Sequence, residues 1–391
     1  MPRDDTRTAL VSLAPMLFAL AVLSALGLVS VRAWNPGDGQ KQIVFLCFGV
    51  AAALAAQWTS YRKLLALSPI FYALSLLPVV YTVIGRYVPV PLVHPVNNAC
   101  HWIFFGPVSF QPSEVTKLTL IMLLAWTFRA DPLRQSSWKV IFRTLAIAAL
   151  PLALILQQPD LGTALTLLPA LGAMILYVGV KIRHLLILAL LGVLVAPILW
   201  FSGIDKDPAC TICPNVPVLR HLPQFVKHYQ RARVYAMFSD DPHVLLVTGY
   251  QQQRAMVALG SGGLTGKGAG NIPIGRGIPE AHNDMVVALI GEQFGLLGVA
   301  MLLLAYGLLF ASGLAVAVAQ QEPTGRLLAF GMVMLLAGQM MINAAVALRI
   351  MPVTGVTLPF VSYGGTSLVT SYLAVGLIIN VARNQLRRRT F

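Results

Sequence analysis

Pro279-Glu280-Ala281-His282-Asn283-Asp284 runs directly into Met285-Val286-Val287-Ala288-Leu289-Ile290, and the reading of the whole chain turns on that junction. Before it lies a polar stretch from Ser202 to Asn283; after it an apolar run continues to Ala319. A helix needs about 20 apolar residues to cross a hydrocarbon layer, and this run has more than enough. A long polar segment that delivers carboxylates to the start of such a run gathers reactive side chains at a membrane surface.

Composition extends that reading to the rest of the molecule. The 391 residues are 57% hydrophobic and 11% charged, with a mean hydropathy of +0.75, far more apolar than a soluble core requires. The expected fold class is an all-α integral membrane protein. Ten candidate spans centre on residues 8–31, 43–58, 64–85, 114–128, 144–158, 161–180, 185–203, 285–319, 327–348 and 361–382. The first lacks a small-residue cleavage site and reads as a retained helix rather than a signal peptide. Without internal repeats or a soluble-domain boundary, residues 1–391 read as a single polytopic membrane domain. Residues 203–283 form its one large extracytoplasmic loop, between spans seven and eight.

The net charge of +14 is spent mostly on orientation. With the N-terminus inside, short inner segments hold Arg62, Lys63, Arg129, Arg134, Lys139, Arg143, Lys181, Arg183, Arg326 and Arg383 among others; short outer ones hold only Arg32, Lys41, Arg86, Lys117 and Arg349. This satisfies the positive-inside rule and returns both termini to the cytoplasm. No nucleic-acid-binding pattern accompanies the charge. In the long loop, Arg231 and its basic neighbours are either a solvated surface or partners for an anion such as a pyrophosphate. Cys210 and Cys213 suggest a local disulfide in an oxidising compartment, with His221 and His228 as weak alternative zinc ligands. Cys47 reads as inert packing, and neither it nor Cys100 looks catalytic.

Four further segments carry polar chemistry. In Gln111-Pro112-Ser113-Glu114, Pro112 suits a first helical turn, and Glu114 and Lys117 share a helix face. They either neutralise one another or hold Lys117 ready for an anion. Asp160, in Gln158-Pro159-Asp160-Leu161-Gly162-Thr163, is a helix cap or lies at the rim of an outer cavity. Gly260-Ser261-Gly262-Gly263-Leu264-Thr265-Gly266-Lys267-Gly268 fails as a phosphate loop, because Ser261 and Gly268 stand where Gly and Ser or Thr are needed. Ser362, Gly364 and Gly365 open the last span with either anion-binding amides or close packing of small residues. At the junction itself, Glu280 and Asp284 share a side if the chain there is helical. They could hold a divalent cation or divide base and ligand roles, while a plain cap is the competing reading for Asp284. His282 suits a hydrogen-bonding neighbour better than a metal ligand. Gly295-Leu296-Leu297-Gly298 is a natural break in the long run, with Glu292 just before it.

Taken together and in this order, these segments resemble the SEDS family of shape, elongation, division and sporulation proteins over essentially the whole chain. To the motifs above the resemblance adds Pro352-Val353-Thr354-Gly355 and Leu358-Pro359-Phe360-Val361-Ser362-Tyr363-Gly364-Gly365. The Pro-Asp-Leu-Gly-Thr and Pro-Val-Thr-Gly wording favours the RodA branch, whereas Pro-Glu-Ala-His leans toward FtsW. The resemblance implies a peptidoglycan glycosyltransferase that polymerises lipid II at the outer face of the bacterial cytoplasmic membrane, for elongation or division. It places Asp284 at the essential outer-loop Asp, as the base that deprotonates the acceptor sugar, and needs that carboxylate ionised and within reach of the substrate. It implies substrate-binding roles at Glu114, Lys117, Asp160, Arg231, Glu280, His282, Ser362, Gly364 and Gly365, and a class B penicillin-binding protein as partner. A divalent cation, Mg or Mn, is a candidate cofactor, and no organic cofactor is implied. The chain departs from the pattern at His101, where an Arg commonly precedes the Trp, and at Asn283, usually Thr. A neutral His is the poorer phosphate partner. A lipid II flippase, with Glu292, Gln339 and Asn343 marking a polar route, and a wall-synthesis scaffold are the rival readings.

Overall fold

The computed structural model describes residues 13–96, 99–106, 108–129, 137–202, 226–239, 241, 244 and 248–387, without the side chains of 137, 228 and 385–387. The first part of the chain forms α1 (Leu13–Trp34), α2 (Pro36–Ala55), α3 (Tyr61–Ala66) and α4 (Ser68–Ile84), then a hairpin of β1 (Ile103–Phe105) and β2 (Val108–Phe110). Next come α5 (Pro112–Thr127), α6 (Ser137–Gln157), α7 (Leu161–Tyr177) and α8 (Ile182–Phe201). The polar stretch supplies α9 (His228–Phe238), α10 (Tyr250–Ser261) and the single turn α11 (Ala281–Asp284). The chain then closes with α12 (Val286–Ala319), α13 (Pro323–Ala347) and α14 (Gly365–Arg387).

Local sequence explains many of the boundaries. Asn35 caps α2 by accepting from Gly37 N–H, with Pro36 in the first turn, and Pro112 and Pro323 open α5 and α13 the same way. Three expected spans shift. The run 64–85 divides at Leu67 into α3 and α4. The helix expected from residue 43 begins at Pro36 because of its cap. The last helix begins at Gly365 rather than 361, because Ser362 Oγ accepts Leu358 N–H at 2.7 Å and holds Leu358–Gly364 in a turn. The β1–β2 hairpin is an addition to the helical plan that no apolar run announces; it pairs Phe104 with Ser109 around Gly106, at φ 64.

Among the described residues six helices are long and apolar enough to cross a membrane: α1, α6, α8, α12, α13 and α14, with α4 and α7 apolar but shorter. The protein is therefore a multi-pass, mainly helical membrane protein. Among the residues of α8 only His184 is buried, which leaves an apolar surface that only acyl chains or another apolar protein can satisfy. Elsewhere, helices approach through small residues, as expected where lipid removes the hydrophobic drive for association. A Cβ at Gly376 of α14 would lie 2.7 Å from the Ala53 backbone of α2, and one at Gly49 would lie 2.8 Å from the Tyr372 ring. Cys47 sits on the exposed side of α2 and Cys100 is buried; both are free thiols. Cys47 therefore faces outward rather than packing inside. The Cys210 and Cys213 pair, His221 and the side chain of His228 lie outside the described residues.

The α2–α14 crossing yields a direct test. Gly376→Ala should cost about 1–3 kcal/mol through overpacking, read as a lower melting temperature in detergent. Gly307→Ala, where a Cβ meets nothing within 4 Å, should be neutral or slightly stabilising.

Candidate active site

The site begins with a broken helix. Gly295 inside α12 has φ 62 and ψ −158, so the carbonyls and amides flanking it cannot pair along the helix. The glycine-rich loop takes their place. Lys267 and Gly268 N–H donate to the carbonyls of Glu292 and Gln293 at 3.0 and 2.9 Å, while Leu296 and Leu297 N–H donate to those of Gly263 and Leu264 at 2.9 and 3.1 Å. Only glycine permits such closeness: a Cβ at Gly262 would lie 1.9 Å from the Gly291 carbonyl oxygen. The fully buried Glu292 carboxylate then fixes the far end of the loop. It accepts from Lys267 Nζ at 2.6 Å, from Ile274 N–H at 3.0 Å and from Gly275 N–H at 2.7 Å. The loop that fails as a phosphate binder is the plug of this break.

Five residues beyond Gly275, the chain turns through Glu280 in the left-handed region (φ 50) and makes the short α11. Glu280 is exposed and accepts from Asn283 Nδ2 at 2.7 Å, which gives the unusual Asn283 a local use. Asp284 is only 6% exposed. Its Oδ1 accepts from Gln251 Nε2 of α10 at 2.8 Å, and its carbonyl accepts from Asn343 Nδ2 of α13 at 2.9 Å. Burial pushes the carboxyl up to about 7; a backbone hydrogen bond, the positive charge of Arg233 and the Gln251 contact oppose the rise, and the charge of Glu280 adds to it. The ionised surface carboxylate expected from sequence is thus a covered one, poised between its two protonation states at neutral pH. His282 is buried too, its ring stacked on Trp34 at 3.8 Å and its Nε2 3.8 Å from Asp38. Burial lowers its pKa to about 4 against the pull of Asp38, so at neutral pH it is an uncharged packing element beneath the segment.

Glu114 and Lys117 form the pair expected from their spacing, 2.8 Å apart, with side chains 7% and 2% exposed. Lys117 Nζ also donates to Gln339 Oε1 at 3.2 Å, and Glu114 Oε2 accepts from Thr370 Oγ1 at 3.3 Å. A cavity of about 10 Å³, the size of one water, lies against them. Gln339 and Asn343 are one turn apart on α13. The first reaches Lys117 and the Thr357 carbonyl (3.0 Å); the second reaches the carbonyls of Asp284 and Val356 (2.7 Å). One helix face therefore joins the ion pair to the Asp284 segment.

The remaining expected residues are mostly structural in their contacts. Asp160 caps α7 through Thr163 N–H (2.9 Å) and also accepts from Gln111 Nε2 (2.9 Å), tying α7 to the start of α5. Nearby, burial lowers the pKa of His101 against the charge of Asp160. The buried Arg231 donates to the Ser202 carbonyl at 2.6 Å and braces α9 against the end of α8; it is Arg233 whose charge acts on Asp284, its Nη1 donating to the Val353 carbonyl at 2.8 Å. Ser362 is spent on its turn. Tyr363 N–H donates to the His282 carbonyl at 2.8 Å. Gly364 accepts from Leu368 N–H, and a Cβ at Gly365 would lie 2.7 Å from the Phe45 ring, which is the close-packing alternative. Among the described residues no group of three or more His, Cys, Asp or Glu could hold a metal.

Comparison with known proteins gives this arrangement a family. A family model described as cell cycle protein, spanning FtsW, RodA and SpoVE, matches residues 6–387. The chain belongs to that family, the SEDS proteins. It is 30% identical to the probable peptidoglycan glycosyltransferase FtsW of Geobacter metallireducens, over 97% of this chain and 95% of that one. It is equally 30% identical to the peptidoglycan glycosyltransferase MrdB of Escherichia coli K12, over 94% and 91%. A solved structure described as "Structural coordination of polymerization and crosslinking by a peptidoglycan synthase complex" aligns with a TM-score of 0.74 at 30% identity, covering 95% of this chain and 97% of its own. The crystal structure of the rod shape determining protein RodA of Thermus thermophilus aligns at 0.63 and 28%, covering 94% and 96%.

In this SEDS protein the sequence motifs mark the surroundings of Asp284 better than its partners. Gln251 and Arg233 carried no motif signal, and Gln339 and Asn343 stood out only as polar residues in an apolar span. Asp284 also makes stability depend on pH. The folded state holds its proton more tightly than the unfolded chain does, so this contribution is full below about pH 4 and is lost as pH rises through about 7. Asp284→Asn should therefore stabilise the folded protein at pH 8 by on the order of a few kcal/mol, read as a higher melting temperature, and much less at pH 4. Equal differences at the two pH values would contradict the raised pKa.

Proposed function

We propose that this chain is a peptidoglycan glycosyltransferase that polymerises lipid II into glycan strands at the outer face of the bacterial cytoplasmic membrane, in the service of cell shape, elongation or division. The observation that carries the reading is the carboxyl of Asp284. It sits on a segment clamped by α10, α13 and the Tyr363 turn, and its burial there pushes its pKa up to about 7. A general base works best with a pKa close to the working pH. In this topology the chain is one membrane domain of ten spans with both termini cytoplasmic and residues 203–283 as its outer loop, from which α10 covers the site.

Asp284 takes the proton from the 4-hydroxyl of the acceptor sugar as that oxygen attacks the anomeric carbon of the lipid-linked donor. The bond from that carbon to the diphosphate breaks, the diphosphate leaves with the electron pair on the opposite face, and the linkage forms with inversion. Gln251 must move off the carboxylate for the acceptor to enter, which makes α10 the cover of the site. Arg233 holds Asp284 closer to its ionised form than burial alone would, and supplies positive charge near the reacting centre. A divalent cation would meet at most two carboxylates here, Asp284 and Glu280, and no step is assigned to it.

The aligned synthase complex supports a class B penicillin-binding protein as the partner that crosslinks the product. The flippase reading relied on Glu292, Gln339 and Asn343 as a polar route. All three have buried partners that build the plug and the α13 tie, which favours a polymerase over a conduit.

Purified protein given lipid II only at the outer face should polymerise it. Asp284→Asn should reduce the rate by about 100-fold or more. Because the base must be ionised, the wild-type rate should be full above about pH 7 and fall about tenfold per pH unit below it. Retained polymerisation by the Asn variant would defeat the assignment.

A further inference from the structure

A cleft of about 680 Å³ opens between the end of α1, the start of α2 and the glycine-rich loop, outside the contacts used above. Its lining includes Arg32, Trp34, Pro36, Ala269, Gly270 and Arg276. The two arginines come from distant parts of the chain and are the cleft's charged lining residues. Neither guanidinium makes a hydrogen bond or ion pair among the described residues, and the carboxylates close by in sequence are engaged elsewhere. Asp38 is paired with Lys41 at 3.3 Å, and Glu280 accepts from Asn283. Pro36, in the first turn of α2, lies on the same rim, beside an end already capped by Asn35 and carrying Asp38. Two guanidiniums face one concavity whose lining residues include no acid, so they repel one another until an anion enters. The forked donors of Arg suit phosphate oxygens, and the volume accommodates a small phosphorylated group.

We propose that this cleft is a binding site for a phosphate-class anion, with Arg32 and Arg276 sharing a diphosphate. Its inner wall is Trp34, whose ring stacks on His282 two residues before Asp284, so an occupant is separated from the Asp284 segment by one pair of rings. The diphosphate of a lipid-linked saccharide and the headgroup of an anionic phospholipid share this chemistry. Only the choice between them rests on the glycosyltransferase reading.

The experiment titrates inorganic pyrophosphate into the full-length protein in phosphatidylcholine nanodiscs, followed by calorimetry. The wild type should show saturable binding that weakens with salt. Arg32→Gln with Arg276→Gln should weaken it at least tenfold. Arg276→Gln alone, at an exposed loop position, should weaken it severalfold and gives the reading if the double variant does not fold. Asp284→Asn should bind as the wild type does, which keeps failure of this site apart from failure of the base assignment. Repeating the titration in phosphatidylglycerol nanodiscs separates the sources: competition by the lipid identifies a headgroup, and unchanged affinity identifies a substrate-type diphosphate. No saturable binding, or equal binding by the arginine variants, would overturn the proposal.

Discussion

Backbone groups at membrane depth must find partners inside the protein, and the break at Gly295 makes that requirement the organising constraint of this molecule. The polar stretch cannot arrange itself freely above the bundle, because part of it must complete α12. Two carbonyls and two amides of the helix are paired by the loop that runs from Gly263 to Gly268, and the Glu292 carboxylate ties the next turn down. The short path from Gly275 to Asp284 inherits this rigidity, so a carboxylate on a loop is held almost as firmly as one on a helix. Burying Glu292 without partners would be costly; with an ammonium and two amide donors it becomes a fixed point.

The same economy appears in α13. Gln339 and Asn343 are neutral, so they can sit at depth without the desolvation cost of a charge, yet each spends its donors on carbonyls of the Val356–Thr357 segment or of Asp284. The Glu114–Lys117 pair is thereby joined to the Asp284 segment through amides rather than through a chain of charges. A change in the state of Lys117 has a contiguous physical path to Asp284, and that path has no titrating member.

Features governed by neighbours close in sequence were legible from the residues alone. The spacing of Glu114 and Lys117 announced their ion pair, Asp160 before Leu161-Gly162-Thr163 announced a cap, and Gly295 announced the break. What stayed hidden depends on long-range pairing. Nothing in the glycine-rich loop says that its partner is a helix some 30 residues downstream. Arg231 and Arg233 lie on one helix, and only their tertiary contacts show that the first braces Ser202 while the second acts on Asp284. The burial of Asp284 was hidden for the same reason, since its cover, Gln251, lies on a helix with no motif. The three-residue strands of the hairpin are too short to leave a periodic trace.

The plug in α12 also constrains biogenesis. Residues 263–275 leave the ribosome before Glu292 does, so the loop's half of every pair in that network is translocated ahead of its partner in α12. The loop must wait, hydrated and unpaired, until the following span has entered the bilayer and bent at Gly295. Insertion of that one span is then the event that draws the preceding surface segment into place.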